Sequence, residues 1–224
     1  MTENGHSKSI FNSRGVLFLT GYLAIFVFMA ITLLTVDKIS IHLAINRFHN
    51  PFLDSLMKYW TYLGDGLLVA ILVIGLLMVS FRIFFIGLAA SVIGGVGAQI
   101  LKRLFFEHAA RPVKFFELNG SADLLYLVPG TEVHNWYSFP SGHTATAFAV
   151  MFALALTTRS RWLQMLLLIL AIGVGYSRMY LSMHFMVDVL GGSILGMLSG
   201  YLAWRWIHRY QSEWFDKSIL NFRR

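Results

Sequence analysis

The sequence contains no cysteine among its 224 residues, and only 13% of those residues are charged. The absence of cysteine excludes disulfide bonds, thiolate nucleophiles and cysteine-based metal sites. The shortage of charge accompanies 57% hydrophobic residues and a mean hydropathy of +0.64. Since about 25% of residues are charged in an ordinary soluble domain, this composition excludes such a domain, and it equally excludes a disordered tail. It predicts an integral membrane protein.

Long uncharged runs divide the chain into bilayer-spanning segments. The first run is long enough to cross the hydrocarbon core, which takes about 20 residues. A signal peptide would instead have a shorter apolar region and a small-residue cleavage site. Six runs are present, the last of them interrupted by Asp188: residues 15–36, 66–81, 83–101, 141–158, 162–177 and 185–204.

These runs predict an all-α, polytopic membrane protein with six transmembrane helices. An even number of spans puts both termini on the same side, and no linker suggests a second domain, so we predict a single domain over residues 1–224. Gly192, Gly196 and Gly200 recur every four residues in the last run. This pattern predicts the close approach of another helix.

Basic residues indicate the orientation, because cytoplasmic segments are richer in Lys and Arg. One side, with residues 1–14, residues 205–224, Arg82, Arg159 and Arg161, carries ten basic residues, and the other side carries eight. The first side also holds all of the net charge of +7. We predict that residues 1–14 and 205–224 are cytoplasmic tails. Their basic residues are expected to contact anionic membrane lipids rather than nucleic acid.

Three ionisable residues lie inside or beside the last two predicted spans, where such groups are costly and point to function. His184 and Asp188 are four residues apart, a spacing that puts both on one face of a helix. The carboxylate can then accept a hydrogen bond from one imidazole nitrogen and leave the other as a nucleophile or base. Arg178, six residues before His184, is expected to reach the same site.

The fourth predicted span begins with a pattern suited to anion binding. Ser141 is a candidate N-cap, Gly142 permits close backbone approach, and the first-turn amides and the helix dipole attract negative charge. His143 lies beside this helix end and can protonate a leaving oxygen. Lys102 and Arg111, from the longest polar segment, add two cations. Cations, a helix N-terminus and two histidines are what the transfer of a phosphoryl group requires.

At these residues the sequence resembles the type 2 phosphatidic acid phosphatases, a family with three sequence blocks. The second block, Pro-Ser-Gly-His, is present at residues 140–143. The third block, Ser-Arg followed after five residues by His and after three more by Asp, is present at residues 177–188. The first block differs, because eight residues instead of six separate Lys102 from Arg111. Either the intervening loop bulges by two residues, or another group supplies the first cation.

The resemblance implies a six-helix membrane fold and metal-independent hydrolysis through a phosphohistidine, with no cofactor. It implies that His184 is the nucleophile, that Asp188 orients it and that His143 is the general acid. It also implies that the substrate phosphate is bound by Lys102, Arg111, Ser141, Gly142 and Arg178. We expect no catalytic role for the remaining histidines, which are His6, His42, His49, His108, His134 and His208.

The activity implied by the resemblance is that of a lipid phosphatase or diphosphatase acting on the external leaflet. Candidate substrates are undecaprenyl diphosphate, phosphatidylglycerol phosphate, phosphatidic acid and the phosphates of lipid A. Residues 53–67 and the loop 102–140 are expected to select among them.

Three alternatives stay open at this point. The same site would serve a lipid phosphotransferase, in which a hydroxyl group instead of water captures the phosphohistidine. A transporter or lipid-binding protein would use the cations only to hold an anion. A metal-dependent membrane hydrolase would use as ligands His143, His184, Asp188 and Glu107.

Overall fold

A computed structural model describes residues 14–221 of the chain. Within that range it contains nine α-helices, short 3₁₀ turns and no β-strand, so the all-α prediction is confirmed there. Residues 1–13 of the predicted N-terminal tail, with His6, lie outside the described residues. Residues 222–224 at the other end, with Arg223 and Arg224, lie outside them as well. The helices are α1 (Val16–Thr35), α2 (Lys38–Asn46), α3 (Pro51–Trp60), α4 (Gly66–Gly75), α5 (Phe81–Phe105), α6 (Pro112–Leu118), α7 (Gly142–Ala155), α8 (Arg161–Tyr180) and α9 (Met186–Ile207).

Four of these helices, α1, α5, α8 and α9, are long and apolar enough to cross a membrane. A fifth candidate is the pair Pro51–Gly64 and Gly66–Met78, which contains α3 and α4 and is bent by 62°. The remaining apolar helix, α7, has only 14 residues. By length and composition, residues 14–221 therefore provide four or five spans. The sixth span and the side on which the termini lie stay predictions.

Helix α7 is surrounded by protein on most sides. Eleven of its 14 residues are buried, and it packs against α5, α8 and α9. A Cβ atom at Gly192, Gly196 or Gly200 of α9 would lie 2.5 Å from a backbone carbonyl oxygen in or next to α7. The predicted close approach of a helix to these glycines is confirmed, and the partner is α7.

The segment between the first two predicted spans is helical rather than an extended connection. Asp37 caps α2, because its side chain accepts hydrogen bonds from two backbone N–H groups of the first turn at 3.0 and 2.9 Å. Asn50 caps α3 by accepting one hydrogen bond from the Leu53 N–H at 2.9 Å, and Pro51 occupies the first helical position, where its missing N–H costs nothing. The second predicted span, residues 66–81, is consequently only the latter part of the bent pair.

Several helix ends meet at one end of the bundle. They are the C-terminal ends of α5 and α8 and the N-terminal ends of α4 and α7, together with the turn that precedes α9. The chain ends that the structure describes lie at the opposite end. Gly15 contacts Leu156 beyond the C-terminus of α7. Arg82, at the start of α5, binds Asp216 beyond the C-terminus of α9 through a contact of 2.6 Å.

Candidate active site

A cavity of about 420 Å³ lies where these helix ends meet. Six of the eight predicted site residues line this cavity: Lys102, Arg111, Gly142, His143, Arg178 and His184. The other two, Ser141 and Asp188, are buried next to the cavity rather than in its lining.

His184 and Asp188 are in contact, but they do not share a helix face. Helix α9 begins at Met186 with Phe185 as its N-cap, so His184 lies in the preceding turn. The Asp188 Oδ2 atom accepts hydrogen bonds from the Phe185 N–H at 2.9 Å and from the Ser138 hydroxyl at 2.5 Å. The prediction of a shared helix face is therefore wrong, because the Asp188 carboxylate closes the helix end after His184.

The predicted hydrogen bond between these two side chains is also not formed. The His184 Nδ1 atom lies 3.5 Å from the Asp188 Oδ2 atom and has no hydrogen-bond partner among the described residues. The carboxylate is thus close enough to interact with a charge on the imidazole, while its own hydrogen bonds go to Ser138 and Phe185.

Backbone hydrogen bonds hold the turn that carries His184. The N–H groups of Met183 and His184 donate to the Arg178 carbonyl oxygen at 3.0 and 3.1 Å. Ser182 completes the turn in the left-handed region, with φ of 52°. A single rigid turn therefore fixes the position of His184 relative to Arg178.

His184 is only 1% exposed. Burial, followed by the nearby charges of Arg111, Arg178 and Lys102, holds the pKa of His184 well below its usual value of 6.5. The imidazole is therefore neutral at neutral pH. A neutral imidazole has a nitrogen lone pair available, as a nucleophile needs.

Three buried cations line the cavity: Lys102, Arg111 and Arg178. The Arg111 Nε–H donates to the Trp136 carbonyl oxygen at 2.9 Å, and the Arg178 Nη1–H donates to the Thr61 hydroxyl at 2.8 Å. Within the part of the chain that the structure describes, the Arg111 Nη1 and Arg178 Nε atoms are buried without a hydrogen-bond partner. Because an unpaired buried donor on a charged group is costly, both guanidinium groups are suited to receive the oxygen atoms of an anion.

The longer spacing of the first sequence block is taken up outside the helices. Helix α5 continues to Phe105 and α6 begins at Pro112, which leaves residues 106–111 irregular. Lys102 lies in the last turn of α5, and Arg111 is the N-cap residue of α6. Both side chains reach the cavity, so a cation from the first block is present despite the two additional residues.

The N-terminus of α7 is open to the cavity at Gly142 but not at Ser141. The buried Ser141 hydroxyl accepts a hydrogen bond from the Thr144 hydroxyl at 2.8 Å and caps the Thr144 N–H at 3.4 Å. A Cβ atom at Gly142 would meet only the Gln99 Nε2 atom within 4.0 Å. An anion in the cavity therefore has access to the first turn of α7, where N–H groups and the helix dipole favour negative charge.

His143 is the more accessible of the two predicted catalytic histidines, with a side chain that is 32% exposed. It lies in the first turn of α7, and its Nε2 atom is 4.0 Å from the Asp65 Oδ2 atom. Protein thus encloses the His184 imidazole, whereas the His143 imidazole is partly exposed at the open side of the cavity.

The sequence patterns assign no individual catalytic or phosphate-binding role to several side chains at the site. Thr61 and Ser138 bind site residues that are 117 and 50 positions away in the chain, a separation that no local pattern reveals. Gln99 is one turn before Lys102 on α5 and lines the cavity; the helical spacing of three residues is a signal that points to it. His134, for which we expected no catalytic role, also lines the cavity. Asp65, whose carboxylate lies 4.0 Å from His143, likewise has no signal in the sequence.

The ligand set of the metal-dependent alternative is not assembled. Glu107 pairs with the exposed His108 at 2.9 Å and is not among the residues that line the cavity. Over residues 14–221, no three His, Asp or Glu side chains lie close enough together to hold a metal ion.

Taken together, the cavity can hold a tetrahedral anion and transfer it. Guanidinium groups, an ammonium group and a helix N-terminus neutralise its oxygen atoms. An enclosed neutral imidazole is available for attack, and a second imidazole is available for proton transfer on the open side.

Known proteins are similar to this chain in sequence and in fold. The sequence profile of the PAP2 superfamily matches residues 80–212. Lipid A 4'-phosphatase of Bacteroides thetaiotaomicron is 34% identical over 91 residues, which cover 41% of this chain and 40% of that protein. Phosphatidylglycerophosphatase B of Bacillus subtilis is 30% identical over 184 residues, which cover 77% of this chain and 80% of that protein. The crystal structure of Aquifex aeolicus LpxE superposes with a TM-score of 0.64 at 27% identity, covering 76% of this chain and 96% of that one.

Proposed function

The chain belongs to the PAP2 superfamily, and on this premise we propose that it is a membrane phosphatase that hydrolyses a phosphomonoester or pyrophosphate group of a lipid. The reaction needs no metal ion, takes place on the external face of the membrane and proceeds through a phosphohistidine. One observation carries the proposal: the enclosed His184 lines the same cavity as three buried cations and the accessible His143.

The substrate phosphate binds where the unpaired donors are. The Arg111 Nη1 and Arg178 Nε groups donate to phosphate oxygens, Lys102 adds a third positive charge, and the first turn of α7 at Gly142 adds backbone N–H groups. These groups act on charge that is spread over the equatorial oxygens during phosphoryl transfer.

The first chemical step forms a bond between His184 and phosphorus. Because the Nδ1 atom of His184 faces Asp188, the Nε2 atom is the one that attacks. The bond from phosphorus to the lipid oxygen breaks in line, and protonated His143 donates its proton to that oxygen. His184 becomes a phosphorylated imidazolium, and the Asp188 carboxylate at 3.5 Å stabilises its positive charge.

The second step returns the enzyme to its starting state. A water molecule attacks phosphorus while neutral His143 accepts its proton, and the bond between phosphorus and the His184 Nε2 atom breaks. Inorganic phosphate leaves, His184 is neutral again and His143 is protonated again, so atoms and charges balance over one turnover.

The external location follows from the predicted orientation. The cavity lies at the end of the bundle opposite the described chain ends near Gly15 and Asp216. If the termini are cytoplasmic, as the distribution of ten and eight basic residues favours, the cavity faces the outside.

A lipid phosphate is the substrate class that the relatives support. The names of two of them, lipid A 4'-phosphatase and phosphatidylglycerophosphatase B, both describe removal of a phosphate from a lipid. Undecaprenyl diphosphate, phosphatidylglycerol phosphate, phosphatidic acid and lipid A phosphates therefore form the panel on which the protein should be assayed.

The test compares two histidine variants on that panel in detergent, with a chelator present. His184→Ala should reduce phosphate release at least about 10³-fold, because no nucleophile remains. His108→Ala is the matched control, since His108 is an exposed histidine that does not line the cavity, and it should keep full activity. Activity of His184→Ala close to that of the parent protein would refute the proposal, as would loss of the parent activity in chelator. Phosphate recovered on an acceptor lipid instead of in water would assign the protein as a phosphotransferase.

A further inference from the structure

The break between α3 and α4 packs directly onto the start of α7. A 3₁₀ turn, Thr61–Gly64, ends α3, and Asp65 then caps α4. A Cβ atom at Gly64 would lie 2.5 Å from the His143 carbonyl oxygen, so only glycine permits this contact. The 62° bend of the pair therefore brings the residues of the break against the helix turn that carries His143.

The two oxygen atoms of the Asp65 carboxylate face different groups. Its Oδ1 atom accepts hydrogen bonds from the Leu67 and Leu68 N–H groups at 2.9 and 3.4 Å, which caps α4. Its Oδ2 atom lies 4.0 Å from the His143 Nε2 atom. This separation is longer than a hydrogen bond, so the carboxylate acts on the imidazole through its charge or through one bridging water.

The other charged groups that line the cavity around His143 are cations, and the other titratable groups there are imidazoles. A general acid must hold its proton before the transfer, and nearby cations oppose the positive charge of a protonated imidazole. Asp65 brings a negative charge to that imidazole. The groups that line the same cavity as His143 are Lys102 on α5, Arg111 at the start of α6, His134 before α7, Arg178 on α8 and His184 before α9.

We propose that Asp65 is a positioning residue for His143. Its carboxylate favours the protonated imidazole and holds the Nε2 side, which leaves the Nδ1 atom to donate the proton to the leaving oxygen. The inference rests on the proposed function, because that function makes His143 the general acid. The break in the α3–α4 pair thereby becomes a fourth segment of the active site, beside the three sequence blocks.

The test removes the charge of Asp65 and keeps its cap. Asp65→Asn and Asp65→Ser both retain an oxygen that can accept from the first turn of α4, whereas Asp65→Glu retains the charge. Asp37→Asn is the matched control, because Asp37 caps α2 through the same pattern of two backbone hydrogen bonds and does not line the cavity. For each variant, kcat and KM are measured against pH with phosphatidic acid in detergent.

Asp65→Asn and Asp65→Ser should move the alkaline limb of the kcat profile to lower pH by about one unit, with kcat on that limb about tenfold lower. KM should not rise, because Asp65 does not bind the phosphate. Asp65→Glu should restore the alkaline limb at least in part, and Asp37→Asn should leave it in place.

Two results would overturn the inference: an unshifted alkaline limb in both uncharged variants, or an equal shift in Asp37→Asn. The His184→Ala variant separates this outcome from failure of the proposed function. An inactive His184→Ala together with unshifted Asp65 variants defeats only the role of Asp65, whereas an active His184→Ala defeats the mechanism itself.

Discussion

Replacement of Asp188 by asparagine isolates the contribution of one buried charge. Asparagine has nearly the same shape, and its side-chain oxygen can still accept the hydrogen bonds that Asp188 receives from Ser138 and Phe185. The N-terminus of α9 and the turn before it should therefore keep their structure. What the variant loses is the negative charge 3.5 Å from the His184 Nδ1 atom.

The size of the effect follows from that distance. Two unit charges 3.5 Å apart interact by about 5 kcal/mol at an effective dielectric constant of about 20. His184 is neutral before the reaction and positive once it is phosphorylated, so this energy applies to the transition state and the intermediate only. Asp188→Asn should consequently lower kcat by about 10³-fold or more. KM should stay the same or fall, because a negative charge is removed from among the cations that bind phosphate.

The assay is steady-state phosphate release from phosphatidic acid in detergent. Asp54→Asn is the matched control, since Asp54 is also a buried carboxylate and accepts hydrogen bonds from Tyr126 and Tyr180 at 2.7 and 2.6 Å, away from the cavity. A kcat of Asp188→Asn within tenfold of the parent value would refute the reasoning. A raised KM with unchanged kcat would do so as well, because it would make Asp188 a substrate-binding group. A protein that only binds or transports an anion would keep working in this variant.

Three other predictions test different parts of the site and the fold. Thr61→Val removes the hydroxyl that accepts a hydrogen bond from the Arg178 Nη1–H. Since a hydrogen bond to a charged group is worth about 1.5–3 kcal/mol, KM should rise about tenfold or more, with a smaller change in kcat. Thr61→Ser should restore KM. Gly196→Ala places a Cβ atom 2.5 Å from the Ala145 carbonyl oxygen and should lower the free energy of unfolding by about 1–3 kcal/mol. By contrast, the added Cβ atom of Gly75→Ala meets nothing within 4 Å, so this variant should raise the free energy of unfolding by up to about 1 kcal/mol. Equal shifts of Tm for the two variants in detergent would contradict the α7–α9 packing. The acid limb of the pH profile of kcat/KM should lie below pH 6.5, because the pKa of His184 is held below that value. The neutral nucleophile is lost only as the pH falls through this lowered pKa. An acid limb above pH 6.5 in the free enzyme would contradict a neutral, buried His184.

Much of the site is predictable from the sequence because it consists of ionisable residues in or beside apolar segments. Arg178 and Asp188 stand out because ionisable groups in apolar spans are costly, and the spacing of His184 and Asp188 places them near each other. The glycines at positions 192, 196 and 200 predict the close contact of α9 with another helix, which the structure has with α7. These features are local, so a single sequence displays them.

Features that depend on helix ends and on distant contacts were not predictable in the same way. The i, i+4 rule places His184 on the helix of Asp188, but the Asp188 side chain accepts from the Phe185 N–H and starts the helix after His184. The bent α3–α4 pair was missed because Asp54 and Lys58 interrupt the apolar run in its first half. Thr61 and Asp65 reach the site only through that bend, and neither residue belongs to a recognisable block.

The central claim is that the phosphoryl group passes through His184. It is tested most directly by mixing the protein with a lipid whose phosphate is radiolabelled, quenching within a single turnover in alkali, where a phosphohistidine survives, and locating the label by peptide mapping. The mechanism predicts label on the peptide that contains His184, its disappearance as phosphate is released, and no label in His184→Ala. Label absent from the protein throughout an active turnover, or label on a peptide without His184, would contradict it.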